Sequence, residues 1–409
     1  MTRKQKRKLI TTICAIILSI FAIERIYNCK SEFHVDAMDA SHYGIAEAKL
    51  TTREKLKDFE YLYDILEKNY PFFEVNKRQN GIDWLGNKRK YKRMIRNTKS
   101  DAEFYAAMNE ILGDLNNEDM NIFDGEDFKY YYKATYPDWD YTLNNPYVMY
   151  RYCFNGDVES IELNEEPVLE TKILIKDKLA YMKIKSMDRY HIDEDYPKIK
   201  NFLKEVENYE KLIIDIRGNN GDGDEYWKKV VELLINEPLD ISYYSFYKNI
   251  YRDSYNTYGI KDLTNVNQLD EQILEQFPEE VKTDFNLYKT NLIHIDPLDD
   301  INFNGKVYLL VDKNVFSSAE KFASFAKDTG FATLVGEPTG GNRVFEKIPI
   351  LYLPKSKFII RFSRELGINA DGTINMETKT IPHIQVNPTP NEDFNKDECI
   401  QAVIKDGGN

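Results

Sequence analysis

Cysteine is scarce: four residues in 409, with Cys14 inside an apolar run, so a disulfide framework cannot be the basis of the fold. Cys153 and Cys399 lie far apart in sequence and could be paired or free. Neither a Cys-x-x-Cys nor a His-x-x-x-His spacing occurs among only five histidines, so no metal and no cofactor is expected. Excess positive charge is also missing. Lys and Arg number 55 against 68 Asp and Glu, a net charge of −13 that argues against a nucleic-acid partner. With 42% apolar and 30% charged residues the chain lacks the profile of disorder, and its length allows one large core or two to three smaller ones.

Long apolar runs are lacking but for Leu9 to Ile23, interrupted by Thr11, Thr12, Cys14 and Ser19 and preceded by Arg3, Lys4, Lys6, Arg7 and Lys8. That order reads as an export signal with its positive flank left in the cytoplasm. The run is short for a span of roughly 20 residues, yet no small-x-small cleavage site follows. Residues 1–28 are therefore expected to be a cytoplasmic tip and uncleaved signal anchor of a single-pass cell-membrane protein, with a removed signal peptide as the alternative. Residues 29–48 would be a tether, and everything beyond would be extracytoplasmic.

What is present is periodic. Thr51-Thr52-Arg53-Glu54 has the capping-box pattern and leads into Leu56, Phe59, Leu62 and Leu66, which predicts an amphipathic helix ended before Pro71. Ser100 to Glu103 repeats the pattern before Phe104, Met108 and Ile111, so residues 49–125 are expected to be an N-terminal helical domain. The Tyr-rich stretch 126–150 reads as irregular. From Val168 the pattern turns to strands: a hairpin about Lys176-Asp177-Lys178, then Leu212 to Ile216 and Val307 to Val311 as strands buried on both faces, with helices between. This alternation predicts an α/β core over 126–409. Residues 239–300, too long for a simple connection, read as a lid-like insertion or as surface decoration.

Two turns could carry chemistry. Asp215-Ile216-Arg217-Gly218-Asn219-Asn220-Gly221 follows a buried strand, and its glycines would let backbone N–H groups meet a ligand, although such a turn is usually only a turn. Val315-Phe316-Ser317-Ser318-Ala319-Glu320 follows another strand and opens a helix, placing Ser317 in the positive field of the helix N-terminus. Ser317-x-x-Glu320 is equally a capping box that needs no catalysis.

These turns occur in order with Leu115-Asn116-Asn117, Leu179 to Ile184, Gly336-Glu337-Pro338-Thr339-Gly340-Gly341, and Asp371-Gly372 through Glu377 to Val386. Together they resemble the tail-specific, or C-terminal processing, serine peptidase family over nearly all the chain after residue 50, without its PDZ module. The resemblance implies a core of repeated strand-strand-helix units, crotonase- or ClpP-like, and hydrolysis of extracytoplasmic peptides or proteins. It makes Ser317 the nucleophile and the N–H groups of Gly221 and Ser318 the oxyanion donors.

In the base the sequence departs from the family. The position of the family's lysine is Asn342, beside Arg343, and the position of its histidine is Asp119; Glu377 matches the glutamate that would support that histidine. Asp222 and His383 also differ from the family pattern. Asp119 is then the candidate base, its weak basicity raised by a neighbouring Glu377, while His383 reads as a structural histidine more readily than as a substitute. Alternatives to a peptidase are a non-catalytic binder of peptides or apolar ligands, and a surface scaffold presenting 239–300.

Overall fold

The computed structural model describes residues 43–135, 141–154, 166–188, 191–221, 223–249, 260–298 and 301–407. The expected anchor and most of the tether therefore lie outside the described residues. Among those described, no helix is long and apolar enough to cross a membrane.

Four helices open the fold: α1 (Thr52–Asn69), α2 (Phe73–Asn80), α3 (Lys88–Asn97) and α4 (Asp101–Gly113). The capping box of α1 is complete, with Thr51 and Glu54 each satisfying the other's backbone N–H. Helix α4 starts where Ser100 accepts the Glu103 N–H at 3.1 Å. Strand β1 (Asn121–Ile122) follows, then α5 (Gly125–Thr135) and α6 (Pro146–Arg151). The described part of the Tyr-rich stretch is thus helical rather than irregular. The local cause is capping: Asp124 accepts the N–H groups of Glu126 and Asp127, and Asn145 caps Tyr147 with Pro146 in the first turn.

The α/β expectation holds. Strands β2 (Leu169–Ile175) and β3 (Leu179–Ile184) form the hairpin, followed by α7 (Ile192–Glu205), β4 (Lys211–Asp215) and α8 (Asp224–Glu232). Residues 239–295 hold β5 (Leu239–Tyr247), β6 (Thr264–Asn265), the short helices α9 (Glu271–Leu274) and α10 (Glu279–Asp284), and β7 (Leu287–Ile295). The chain returns through β8 (Lys306–Val311), α11 (Ser317–Asp328) and β9 (Thr333–Gly336). It closes with β10 (Ile350–Tyr352), β11 (Ile359–Arg361), β12 (Leu366–Ile368), α12 (Asn375–Thr378), β13 (Ile384–Gln385) and α13 (Glu398–Lys405).

The main sheet runs β13-β9-β8-β4-β3-β2, parallel except for β2. Both faces are covered, as its continuous apolar strands require. Ile199 and Phe202 of α7, Trp227 of α8 and Phe322 and Phe325 of α11 pack on one face, and Cys399, Ile400 and Val403 of α13 on the other. Cys153 and Cys399 are both free thiols. Three strands of the 239–300 segment join β12 in a four-stranded antiparallel sheet, β12-β5-β7-β6. Its Phe246, Phe277 and Phe285 share a core with Leu62, Leu66 and Ile111 of the helical region and with β10–β12. That shared core joins the helical region, the antiparallel sheet and the C-terminal strands.

Candidate active site

Strand β8 ends at Val311, and after five intervening residues the chain turns into α11 at Ser317. Ser317 has φ +53°, in the left-handed region that costs a residue with a Cβ on the order of 1–2 kcal/mol. The surroundings enforce it. Phe316 is extended and bridged to Gly341, and its carbonyl accepts both the Ala319 and Glu320 N–H groups, at 3.0 and 3.2 Å. The capping-box reading fails on this geometry. The Glu320 amide is bonded to Phe316, and the Glu320 carboxylate is buried among Asn375 Nδ2 and Thr380 Oγ1, both at 2.7 Å. Ser317 is thus held on a sharp strand-to-helix turn, half-buried at the N-terminus of a helix whose body is wholly interior.

The turn after β4 lies directly against it. Gly218 N–H donates to Asp312 Oδ1 at 3.0 Å, Asn219 Nδ2 to the Ile184 carbonyl at 2.9 Å, and Phe316 N–H to the Asn219 carbonyl at 3.3 Å. Gly221 has φ +86°, and a Cβ there would stand 2.7 Å from the Ser318 nitrogen and 2.9 Å from the Phe316 oxygen, so the approach needs glycine. The structure therefore brings Gly221, Ser317 and Ser318 together. In this conformation the Gly221 N–H donates to Asn219 Oδ1 at 2.9 Å, and it could hold an oxyanion only by sharing or releasing that bond. Asp222 is outside the described residues.

Beneath both turns sits a buried ion pair. Arg217 donates to Asp215 at 2.9 and 2.6 Å and to Asp397 at 3.2 and 2.9 Å, with all three side chains at most 1% exposed. It ties the end of β4 to the C-terminal segment.

The base half is arranged differently. Asp119 is buried after α4, its loop fixed by Asn117, which accepts the Asp119 N–H at 2.9 Å. Its carboxylate is occupied: Oδ1 pairs with Arg361 of β11 at 2.6 Å, and Oδ2 accepts from Asn342 Nδ2. Asp119 and Asn342, the two positions the sequence singled out for a base, thus meet as a hydrogen-bonded pair closed off by an arginine. Glu377 has its own partners. It pairs with Arg78 of α2 at 2.5 and 3.0 Å, and Arg78 also holds Glu280. Partial burial and the Asp119 charge beside it hold the Glu118 carboxyl above its usual range. His383 accepts the Leu334 N–H at 2.9 Å at the start of β9, and partial burial lowers its pKa.

Sequence reading missed Arg361, whose place opposite Asp119 follows from the β1–β11 pairing of Asn121 with Arg361. The sequence singles out Asn219 as part of the turn, but not the bracing role of its side chain, which donates to the Ile184 carbonyl and accepts the Gly221 N–H. Among the described residues, no group of His, Cys, Asp or Glu is placed to hold a metal ion.

Residues 178–386 match the sequence profile of Peptidase family S41. Among curated proteins, none matches by sequence. Solved structures share the fold. A serine-to-alanine mutant of CPAF superposes with TM-score 0.57 at 13% identity, covering 88% of this chain and 99% of that one. A Parabacteroides merdae protein solved as a candidate peptidase gives 0.56 at 17%, covering 86% and 96%. Mature CPAF complexed with lactacystin gives 0.53 at 13%, covering 82% and 94%.

Proposed function

We propose, for a chain that belongs to Peptidase family S41 and carries its serine-peptidase-like function, that Ser317 is the nucleophile of an acyl-transfer site for peptides outside the cytoplasm. The left-handed turn at Ser317 carries this reading, because it is a costly conformation that no capping bond explains. In the reaction the Ser317 Oγ–carbonyl bond forms, the carbon–nitrogen bond breaks, and the hydroxyl proton must reach the leaving amine. Water then releases the acyl group. The α11 N-terminus and the Ser318 N–H favour the developing oxyanion. The basic run before Leu9–Ile23 supports a membrane anchor that leaves the domain on the extracytoplasmic side.

A second reading is favoured by one observation: Asp119, bound by Arg361 and Asn342, is poorly placed to accept a proton. On that reading the chain keeps the peptide cleft and no longer turns peptides over. A fluorophosphonate probe separates the two. Labelling that disappears in Ser317→Ala, with thermal stability unchanged because no cap is lost, supports the nucleophile. No labelling from about pH 5 to about pH 9, together with peptide-induced thermal shifts in wild type and Ser317→Ala alike, supports the binder.

A further inference from the structure

The described chain begins at Tyr43, and its first residues are fastened to a buried polar knot. Ala48 and Leu50 donate their N–H groups to Asp101 at 2.7 and 3.0 Å, and Ala46 donates to the Arg151 carbonyl at 2.7 Å. Arg151 pairs with Asp101 at 2.9 Å and donates to the Ser356 carbonyl, while Asp58 accepts the Lys355 and Ser356 N–H groups at 2.8 and 2.6 Å. Ile45 is 2% exposed, so this stretch is docked rather than loose.

The chain neighbours of this knot share a character. Lys57 precedes Asp58, Lys355 and Lys357 flank Ser356, and Lys99 stands two residues before Asp101. Lys57, Lys99 and Lys355 are exposed. Beside Arg151, Tyr147 and Tyr150 are 71% and 72% exposed, the most solvent-open large hydrophobic side chains among the described residues, and the Lys357 ammonium lies 5.9 Å from the Tyr147 ring. Two of the acids nearby are turned to backbone: Glu54 caps Thr51 and Glu103 accepts the Lys99 N–H at 2.7 Å. In a chain of net charge −13, cations and exposed tyrosines therefore collect where the N-terminal segment joins the body.

From this placement we infer that the face around Lys57, Lys99, Lys355, Lys357, Tyr147 and Tyr150 rests on an anionic phospholipid bilayer, the lysines against headgroup phosphates and the tyrosines at the interface. The inference rests on the membrane-anchor reading. On that reading only 19 residues separate Ile23 from Tyr43, which makes this end of the body the one tethered nearest the membrane. The seating fixes the orientation of the domain, so the cleft meets substrates at a set attitude to the membrane.

The test uses full-length protein in nanodiscs of phosphatidylglycerol or phosphatidylcholine, read by hydrogen exchange at 52–57 and 146–151. Expected is about tenfold slower exchange in phosphatidylglycerol, lost in Lys57→Glu/Lys99→Glu/Lys355→Glu, which still inserts and keeps wild-type labelling at Ser317. Equal exchange in the two lipids overturns the surface and leaves the anchor standing. Failure of the full chain to enter either nanodisc overturns the anchor, and the surface with it.

Discussion

The two halves of the candidate site are built from different material. The nucleophile half is backbone: a left-handed serine, a glycine pressed on the Ser318 nitrogen, and carbonyls that accept paired amides, all at the ends of strands buried on both faces. The base half is side chains from separate segments, Asp119 after α4 and Asn342 after β9, joined by one hydrogen bond and an arginine. A backbone-built feature changes only if the sheet changes. A side-chain-built one can be exchanged with the core intact, so the fold and the Ser317 turn can persist whatever residues stand at the candidate base positions.

The contrast predicts unequal costs. Arg217→Met should be the most damaging, since it leaves Asp215 and Asp397 ionised and buried without their partner, at about 3–5 kcal/mol. Urea denaturation measures it, and Arg217→Lys should recover little, because one ammonium cannot reproduce the paired guanidinium bonds. A loss below about 1 kcal/mol would mean that the nucleophile half is no more deeply founded than the base half.

The base half should accept rebuilding. Asn342→Lys alone would put an ammonium against the Asp119 carboxylate and keep it charged, so fluorophosphonate labelling of Ser317 should barely change. Combined with Asp119→Asn, the same lysine would face Arg361 without a countercharge, which favours its neutral form. Labelling should then rise by about a hundredfold, the scale of a positioned general base. Equal labelling in single and double variants would show that the Asp119–Arg361 pair does not govern the site.

How much of this was legible in the sequence follows the same division. The Ser317 and Gly221 turns could be found because short runs after apolar strands encode them, and the α/β core because its strands are continuously apolar. The partner of Asp119 could not be found, since Arg361 is separated from it by most of the chain and meets it through a two-residue strand pairing. The capping box at Ser317-x-x-Glu320 misled for a related reason. It has the same Ser/Thr-x-x-Glu pattern as Thr51-x-x-Glu54, where both bonds form, but here the bridge from Phe316 to Gly341 and the pull of Asn375 and Thr380 on Glu320 override the local preference. The helices of the Tyr-rich stretch carry their signals in Asp124 and in Asn145-Pro146, short caps rather than an apolar periodicity.

The smallest effect is expected where the halves join. Glu320, in the first turn of α11, accepts from Asn375 and Thr380, and Asn375 in turn accepts the Arg343 N–H at 2.7 Å. Burial raises the Glu320 pKa above its usual value, although these bonds and the Arg343 charge oppose the shift. A carboxyl whose folded-state pKa is raised holds its proton longer in the folded state than in the unfolded one. Its contribution is fully present below the unfolded value of about 4.5 and is lost as pH rises through the higher folded value. Glu320→Gln removes that dependence. Its stability relative to wild type, read by urea denaturation, should therefore climb as pH rises above about 4.5, while Arg343 keeps Glu365 and Asp328 beside it. A difference that stays flat across that range would mean that Glu320 is ionised throughout as a full partner of Arg343, making the join between the halves an ion pair rather than a protonated hydrogen-bond network.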